Sequence, residues 1–420
     1  MGSLARRKTY LTTIANQGID PILLDGGDWL FNLGNVKKNK FAARQLLQKG
    51  KLLVDAYNQF GYAAAAVGEH DLAFGIDALK ALEAQANFPF LCANLFDAEG
   101  KALFPGSTVV ERNGQKIGVV AALIPLPNHF LKKAGEGLSM TDPIEALRRE
   151  VKALGDSVDA VFVLAHVDYQ DVLKIADTMP GIDFLLEPQS FASSEPTWIN
   201  DGEEYLARNG RLLLRISGQG STIGRLDLYL RERGSEWKAV SDDPAWPGNL
   251  YNAAQTRLAN HIGRHPAMDK LVNEFLRGTH YDGLSEEDVT FVPSKEYLGA
   301  DTCAGCHVEQ TEFWRSTGHG KAYETLEKTG DQFRYDCVSC HVLAYGETFV
   351  DAHKVGQYKD VQCESCHGTN PKHPENPAAH KWPKMTDKSC WSCHDPRVTR
   401  VPFDPASAFP KVSCPPLNRE

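Results

Sequence analysis

The sequence predicts two dissimilar domains in series. The first is an α/β domain; the second is mostly helical and loop-rich, with a core not made of side chains. Three observations carry this. Over residues 1–235, apolar runs that end on a polar or charged residue alternate with helical stretches, as strands and helices do in an α/β fold. Residues 301–420 hold no isoleucine, three leucines and nine valines, too little apolar mass to offset chain entropy. Nine of the 10 cysteines and eight of the 14 histidines lie in that same stretch.

In the front domain, residues 21–28, 62–71, 160–166 and 182–189 read as strands, and 40–60, 76–86 and 143–154 as helices. Asn113-Gly114 turns a hairpin within 109–122, and Asn209-Gly210 another within 205–230, because this dipeptide accepts the positive φ angles of a tight turn. A connector follows over 236–296. Residues 241–248 read as a loop, 253–277 as one long helix interrupted at Pro266, and 278–294 as a polar linker. The predicted domains are therefore 1–235, 236–296 and 297–420. The net charge of −9 argues against a nucleic-acid binder. No apolar run approaches the ~18 residues of a membrane span.

The tail does carry Trp314, Trp382, Trp391 and several tyrosines, which a disordered segment lacks, so something else must fill its core. Its cysteines fall as Cys303-Ala-Gly-Cys306-His307, Cys337-Val-Ser-Cys340-His341, Cys363-Glu-Ser-Cys366-His367 and Cys390-Trp-Ser-Cys393-His394. Each is Cys-x-x-Cys-His, the attachment motif of c-type haem. Two thiols on one turn add to the vinyl groups, and the next residue offers its imidazole to the iron. Zinc uses Cys-x-x-Cys pairs too, and so does a disulfide framework. Histidine can be a zinc ligand, but one directly after the second cysteine in four motifs out of four points to haem, and a disulfide framework has no use for those histidines. Four haem c groups are the predicted core. Four histidines lie outside the motifs, namely His319, His353, His373 and His380, one for each iron's second axial position, with Met385 as a substitute. Closed bis-histidine irons favour electron transfer.

The tail resembles the tetrahaem cytochromes of the hydroxylamine-oxidation pathway. The resemblance rests on Tyr297 to His307, on Phe313-Trp-Arg-Ser-Thr-Gly-His319-Gly-Lys-Ala322 and on Cys363 to His373. It implies a helical, loop-rich fold with closely packed haems, and an axial role for His319. The front domain resembles the calcineurin-like metallophosphoesterases of the 5′-nucleotidase branch, giving an α/β sandwich. That match runs through Asp25-Gly-Gly-Asp28, Gly68-Glu-His-Asp-Leu-Ala-Phe-Gly75, Ala93-Asn-Leu95, Ala165-His166 and Gly181-Ile-Asp-Phe-Leu-Leu186. It implies two metal ions activating a water, with Asp28 bridging them, His70 stabilising the transition state and His166 as a ligand. The departures weigh more. Glu69 replaces the family's asparagine ligand, and Pro188-Gln189-Ser190-Phe191 stands where it has Gly-His-x-His. Its opening Asp-x-His strand has no counterpart before Leu4. The site formed by Asp28, Glu69, His70 and His166 is therefore expected to be vestigial and without a divalent metal.

Haem attachment of this kind takes place outside the cytoplasm, so the chain is expected to be exported, periplasmic or extracellular. Its signal segment is expected to lie ahead of the sequence at hand. Cys92 and Cys414 are left over. The expected function is electron transport with redox partner proteins and self-association through haem stacking, the front domain serving as scaffold or docking module. Two other readings stand beside it: an oxidoreductase of small nitrogen or sulfur compounds at an open haem, and an active phosphoesterase coupled to a cytochrome.

Overall fold

The computed structural model describes residues 4–31, 40–188, 205–208, 211–216, 220, 222–259, 261–278, 295–333, 335–382, 388–394 and 403–416. The chain divides into two compact units. One comprises residues 2–32 and 47–272, the other residues 1, 33–46 and 273–420.

In chain order the elements up to residue 277, of which α2 and α7 each straddle the division, run α1 (Leu4–Asn16), β1 (Leu23–Asp25), α2 (Lys40–Phe60), β2 (Tyr62–Ala66), α3 (Ile76–Glu83), β3 (Phe90–Leu91), β4 (Leu95–Phe96), β5 (Ser107–Arg112) and β6 (Gln115–Leu123). They continue with α4 (Asn128–Ala134), β7 (Ser139–Met140), α5 (Pro143–Leu154), β8 (Ala160–His166), α6 (Tyr169–Thr178), β9 (Phe184–Pro188), β10 (Tyr205–Arg208) and β11 (Arg211–Ile216). They close with β12 (Thr222–Tyr229), β13 (Trp237–Ala239), β14 (Asn249–Arg257) and α7 (Pro266–Arg277). Strands β1, β2 and β3 form a parallel sheet. A six-stranded sheet has the order β10-β11-β9-β8-β6-β5, and β12-β14-β13 form a third. The β5–β6 hairpin turns through Asn113 and Gly114, at φ 53° and 76°, as the dipeptide predicts.

Alternation along the central strands sorts their side chains onto two faces. Val120, Ala122, Val161, Val163 and Ala165 pack with Ile144, Leu147 and Ile175 of α5 and α6. Ile117, Val119, Ala121, Ala160 and Leu164 pack instead with Ala64, Leu91, Trp237 and Tyr251 of the other two sheets. The result is a sandwich flanked by helices. At its N-terminal edge the buried Arg7 donates from Nη1 to the hydroxyls of Tyr57 (2.9 Å) and Tyr62 (2.7 Å). Tyr57 in turn donates to Asp25 Oδ2 at 2.7 Å and stacks between Trp29 and Tyr62. This network fixes the end of β1.

Residues 253–257 are strand, not the start of a long helix. They are good helix formers, but the pairing of Thr222–Tyr229 along the whole of β14 and the burial of Leu250 and Tyr251 override that local preference. The helix begins only at Pro266, where a missing N–H costs nothing. Of the linker, residues 279–294 lie outside the described residues.

The second unit is a set of short helices, Ala300–Ala304, Val308–Ser316, Ala322–Thr329, Tyr335–His341, Cys363–His367, Lys388–Trp391 and Pro405–Val412. Its apolar cluster is small: Tyr323, Leu326, Val338, Val342, Phe349, Ala352 and Val355. Among the described residues no helix is long and apolar enough to cross a membrane. Leu164→Ala, at a fully buried position between the sheets, is expected to cost about 2–5 kcal/mol in denaturant unfolding. Val109→Ala, at a 46 % exposed position of β5, is expected to cost almost nothing.

Candidate functional site

In the first unit the C-terminal ends of β1, β2 and β8 converge, the place where α/β sheets build sites. The turn after β1 carries Asp28 at φ 56°, a left-handed conformation that a short polar side chain tolerates. Asp71 holds it there. One carboxylate oxygen accepts the N–H groups of Asp28 (3.0 Å) and Gly68 (2.9 Å), and the other accepts that of Leu30 (3.0 Å). Asp28 Oδ1 accepts the His70 N–H at 2.7 Å. Two glycines make the approach possible: a Cβ on Gly68 would lie 2.1 Å from Asp28 Oδ1, and one on Gly27 3.0 Å from His166 Nδ1.

Around Asp28 Oδ2 stand His166 Nε2 at 3.4 Å and His70 Nδ1 at 3.6 Å; His70 Nε2 is 3.8 Å from Glu69 Oε1. Asp28 Oδ2 and His166 Nε2 are both buried without a hydrogen-bond partner. His166 Nδ1 lies 3.3 Å from the Gly26 carbonyl; a proton assigned there leaves Nε2 its lone pair. Burial favours the neutral form of Asp28, but His166 and His70 outweigh it and hold the carboxyl below its ordinary value. Burial depresses His166, but Asp28 prevails and raises it. Burial and then the charge of Asp28 raise both Glu69 and Asp71. Ligand atoms of Asp28, Glu69 and His70 lie within 4.8 Å of one another. Two carboxylates and the His70 imidazole fit a single divalent ion, and His166 Nε2 stands beside them at 3.4 Å from Asp28 Oδ2. Gln189, Ser190 and Phe191, on which the expected loss of metal also rests, lie outside the described residues.

In the second unit every motif sits on a helical turn. His307 N and His394 N each bond the carbonyl of the first cysteine, Cys303 or Cys390, at 2.9 and 2.8 Å; the other two motifs lie inside the helices Tyr335–His341 and Cys363–His367. Both thiols and the imidazole thus leave one side of each turn. Two non-motif histidines face motif histidines: the ring centres of His307 and His373 are 6.1 Å apart, and those of His319 and His394 6.0 Å. His341 Nδ1 is 2.7 Å from Ala322 O, and His373 Nδ1 2.7 Å from His380 O, contacts that orient an imidazole and free its Nε2. Burial keeps His319, His367 and His394 below the ordinary histidine value, with His394 and His307 adding to the effect on the first two, so they favour the neutral, ligating form. His353 stacks on Phe333, and His380 offers its carbonyl. Met385 lies outside the described residues. The motifs also lie against one another: the thiols of Cys303 and Cys363 perturb each other, as do those of Cys340 and Cys393. Ser389, in the helix before Cys390, donates to Cys366 O at 3.2 Å.

Residues 302–368 match the family Cytochrome c554 and c-prime. A cytochrome c554 domain stands at the C-terminus. The N-terminal part is similar to metallophosphoesterases. An uncharacterised metallophosphoesterase, YunD of Bacillus subtilis, is 25 % identical over 264 residues, covering 61 % of this chain and 52 % of that protein. A 5′-nucleotidase of Vibrio parahaemolyticus is 31 % identical over 338 residues, 71 % of this chain and 57 % of its own. The chain thus spans little more than half the length of these relatives. The solved structure of the calcineurin-like phosphoesterase YfkN from B. subtilis superposes with a TM-score of 0.51 at 19 % identity, covering 66 % of this chain and 89 % of that one. The sulfate thiohydrolase SoxB of Thermus thermophilus gives 0.51 at 20 %, covering 69 % and 48 %. The front fold is that of the calcineurin-like phosphoesterases and 5′-nucleotidases, and the c554 domain follows it in sequence.

Of the residues singled out from sequence, Asp28, Glu69, His70 and His166 converge as one cluster. Asp71 was missed as the clamp that positions them; its signal was an acid inside the Gly68–Asp71 turn. Cys92 is a buried free thiol donating to Asn94 Oδ1 at 3.4 Å, pushed up to about 11 by burial. Cys414 is free and exposed. Because Asp28 is held below its ordinary 3.8, its charge stabilises the fold fully above that pH, and the contribution is lost as pH falls through the lower folded value. Asp28→Asn is expected to flatten this acid limb in thermal unfolding across pH, whereas Gly68→Ala lowers Tm at every pH.

Proposed function

We propose that this chain is an exported electron carrier holding four haem c groups, of the kind the hydroxylamine-pathway cytochromes exemplify. Thioether bonds to Cys303/Cys306, Cys337/Cys340, Cys363/Cys366 and Cys390/Cys393 would hold them, with His307, His341, His367 and His394 as proximal ligands. The observation that carries this reading is the pair of histidine separations. An imidazole nitrogen bonds a transition metal at about 2.0–2.1 Å. With roughly 1.1 Å from nitrogen to ring centre, two trans imidazoles have centres about 6 Å apart, by the same bond length. Separations of 6.1 Å for His307/His373 and 6.0 Å for His319/His394 match that spacing. Tetrahedral zinc would not place them so. His353 and His380 are the remaining distal candidates.

When bound, haem supplies a one-electron ferric/ferrous couple. The protein's part is to hold each iron closed, to orient imidazoles through carbonyls such as Ala322 O, and to bring the motifs together. Their contacts run from the first motif to the third through Cys303 and Cys363, from the third to the fourth through Ser389 and the Cys366 carbonyl, and from the fourth to the second through Cys393 and Cys340. Electrons would follow that order and exchange with redox proteins, or with a second copy through a terminal haem. The front domain serves as a docking or assembly scaffold and does no hydrolysis.

A second reading has one observation in its favour: the orphaned Asp28 Oδ2 and His166 Nε2 are what a metal-dependent phosphoesterase centre presents. There a bound divalent cation would supply Lewis acidity, with Asp28, Glu69 and His166 as its holders. Turnover of a generic phosphoester with added manganese, lost in Asp28→Ala, would establish it; no turnover with any divalent metal retires it.

A pyridine haemochrome assay of the exported protein is expected to give four haems per chain. His373→Ala and His319→Ala are each expected to convert one low-spin ferric haem to high spin in optical and EPR spectra. Unchanged spectra in both would overturn the two axial pairs.

A further inference from the structure

Two aromatic side chains of the second unit lie against histidines and outside its small apolar cluster. The Phe403 ring covers the His394 imidazole, with centres 4.3 Å apart and planes 13° from parallel. Trp391, inside the fourth motif, meets Phe403 edge-on, at 5.5 Å and 86°. Trp382 stands across His373, with centres 4.4 Å apart and planes at 62°. Its indole N–H donates to the Gly368 carbonyl at 2.8 Å, which ties the ring to the residue after the third motif. The His380 carbonyl, 2.7 Å from His373 Nδ1, holds the same imidazole by its edge, and Asn370 donates to that carbonyl at 3.1 Å. Phe333 on His353, at 4.4 Å and 24°, repeats the stacked form. In a unit with so little apolar mass, a phenylalanine and a tryptophan set on imidazoles need a reason.

What these contacts fix is a rotation. A bond through one nitrogen sets where an imidazole points but lets the ring turn about that bond. A second ring against its face or edge stops the turn. The two facing pairs come out differently. His307 and His373 lie 21° from parallel, and His319 and His394 lie at 52°. Between two imidazoles on a low-spin ferric iron, this angle has an electronic meaning. Each ring donates π density into the iron d orbital that stands perpendicular to its plane. Parallel rings act on the same d orbital and split it from its partner. Crossed rings act on both and leave the two close in energy. The unpaired electron then has one fixed orbital in the first case and two nearly equal ones in the second.

We infer that Phe403 and Trp382 are positioning residues that hold the imidazole planes of His394 and His373, so that the pair His319/His394 is crossed, the pair His307/His373 is near-parallel, and the chain carries two electronically distinct kinds of haem. The inference rests on the bis-histidine reading above and adds a role for residues outside the motifs. The distinction matters for a carrier. The half-filled orbital has a direction where the rings are near-parallel, and an electron couples best to a neighbour lying along it. Where the rings are crossed that preference is weaker. Orientation of the axial ligands thus joins their identity and surroundings as a lever held by the protein.

The test is low-temperature EPR of the oxidised, haem-loaded full chain. The low-spin signal removed by His319→Ala is expected to be more axial, with its main feature at lower field, than the rhombic signal removed by His373→Ala. Phe403→Ala frees the His394 ring and is expected to shift or broaden the first signal alone, while Phe403→Tyr, which keeps the stack, leaves it in place. Trp382→Ala is expected to do the same to the second signal alone, and Trp382→Phe to preserve it. A ring that merely packs would lower Tm and leave both line positions where they are. An unchanged signal in either alanine variant, with four low-spin haems retained, overturns the proposal. So does a wild-type spectrum with one kind of low-spin signal only, a result that needs no variant to fold. A wild-type chain without c-type haem, or with high-spin iron at both pairs, overturns the reading beneath it instead.

Discussion

The geometry of the front site depends on one carboxylate that points away from it. Asp71 gathers the backbone N–H groups of Asp28, Leu30 and Gly68, and so ties the turn after β1 to the turn after β2. Neither turn is stable alone in this form: Asp28 occupies a left-handed conformation, and Gly68 approaches it closer than any Cβ permits. Charge-assisted bonds from three amides to one buried acid supply the compensation. Everything that faces His166 follows from that tie. The Arg7–Tyr57–Asp25 network steadies the same turn from the other side, by fixing the last residue of β1 and bonding the Gly27 N–H to Asp25 at 3.1 Å.

The two units solve the problem of a core differently. The first has the usual answer, alternating strands whose odd and even residues feed two apolar layers. The second places seven side chains in its apolar cluster and spends its remaining sequence on turns that present thiols and imidazoles. Such a unit is ordered by what it binds, much as small metal-dependent domains are. Burial keeps His319, His367 and His394 toward the neutral form, and backbone carbonyls orient His341 and His373 through Nδ1 so that Nε2 is left over.

Much of this was legible in the sequence because the signals were local. Four copies of one five-residue motif announce their chemistry without any knowledge of the fold. The hairpin at Asn113-Gly114 and the strand ending at His166 were equally plain. The approach of His373 to His307 was not, since His373 lies six residues beyond the third motif yet its ring centre is 6.1 Å from that of His307 in the first; only tertiary structure reveals such a crossing. Residues 253–257 misled for a related reason. Ala253, Ala254 and Gln255 favour helix in isolation, and the partner strand that decides otherwise is some 30 residues away in sequence. Asp71 was visible as part of a motif, but its role is to bind main chain, which composition does not disclose.

The contacts between motifs also set the order of the unit. Along the chain the motifs run first to fourth, but among the described residues the first lies against the third, the third against the fourth and the fourth against the second. The order of contact is therefore not the order of sequence. A chain ended before Cys390 would lose the motif that lies against both the second and the third. The fourth motif, last of the four in sequence order, is thus the joint between the second and the third.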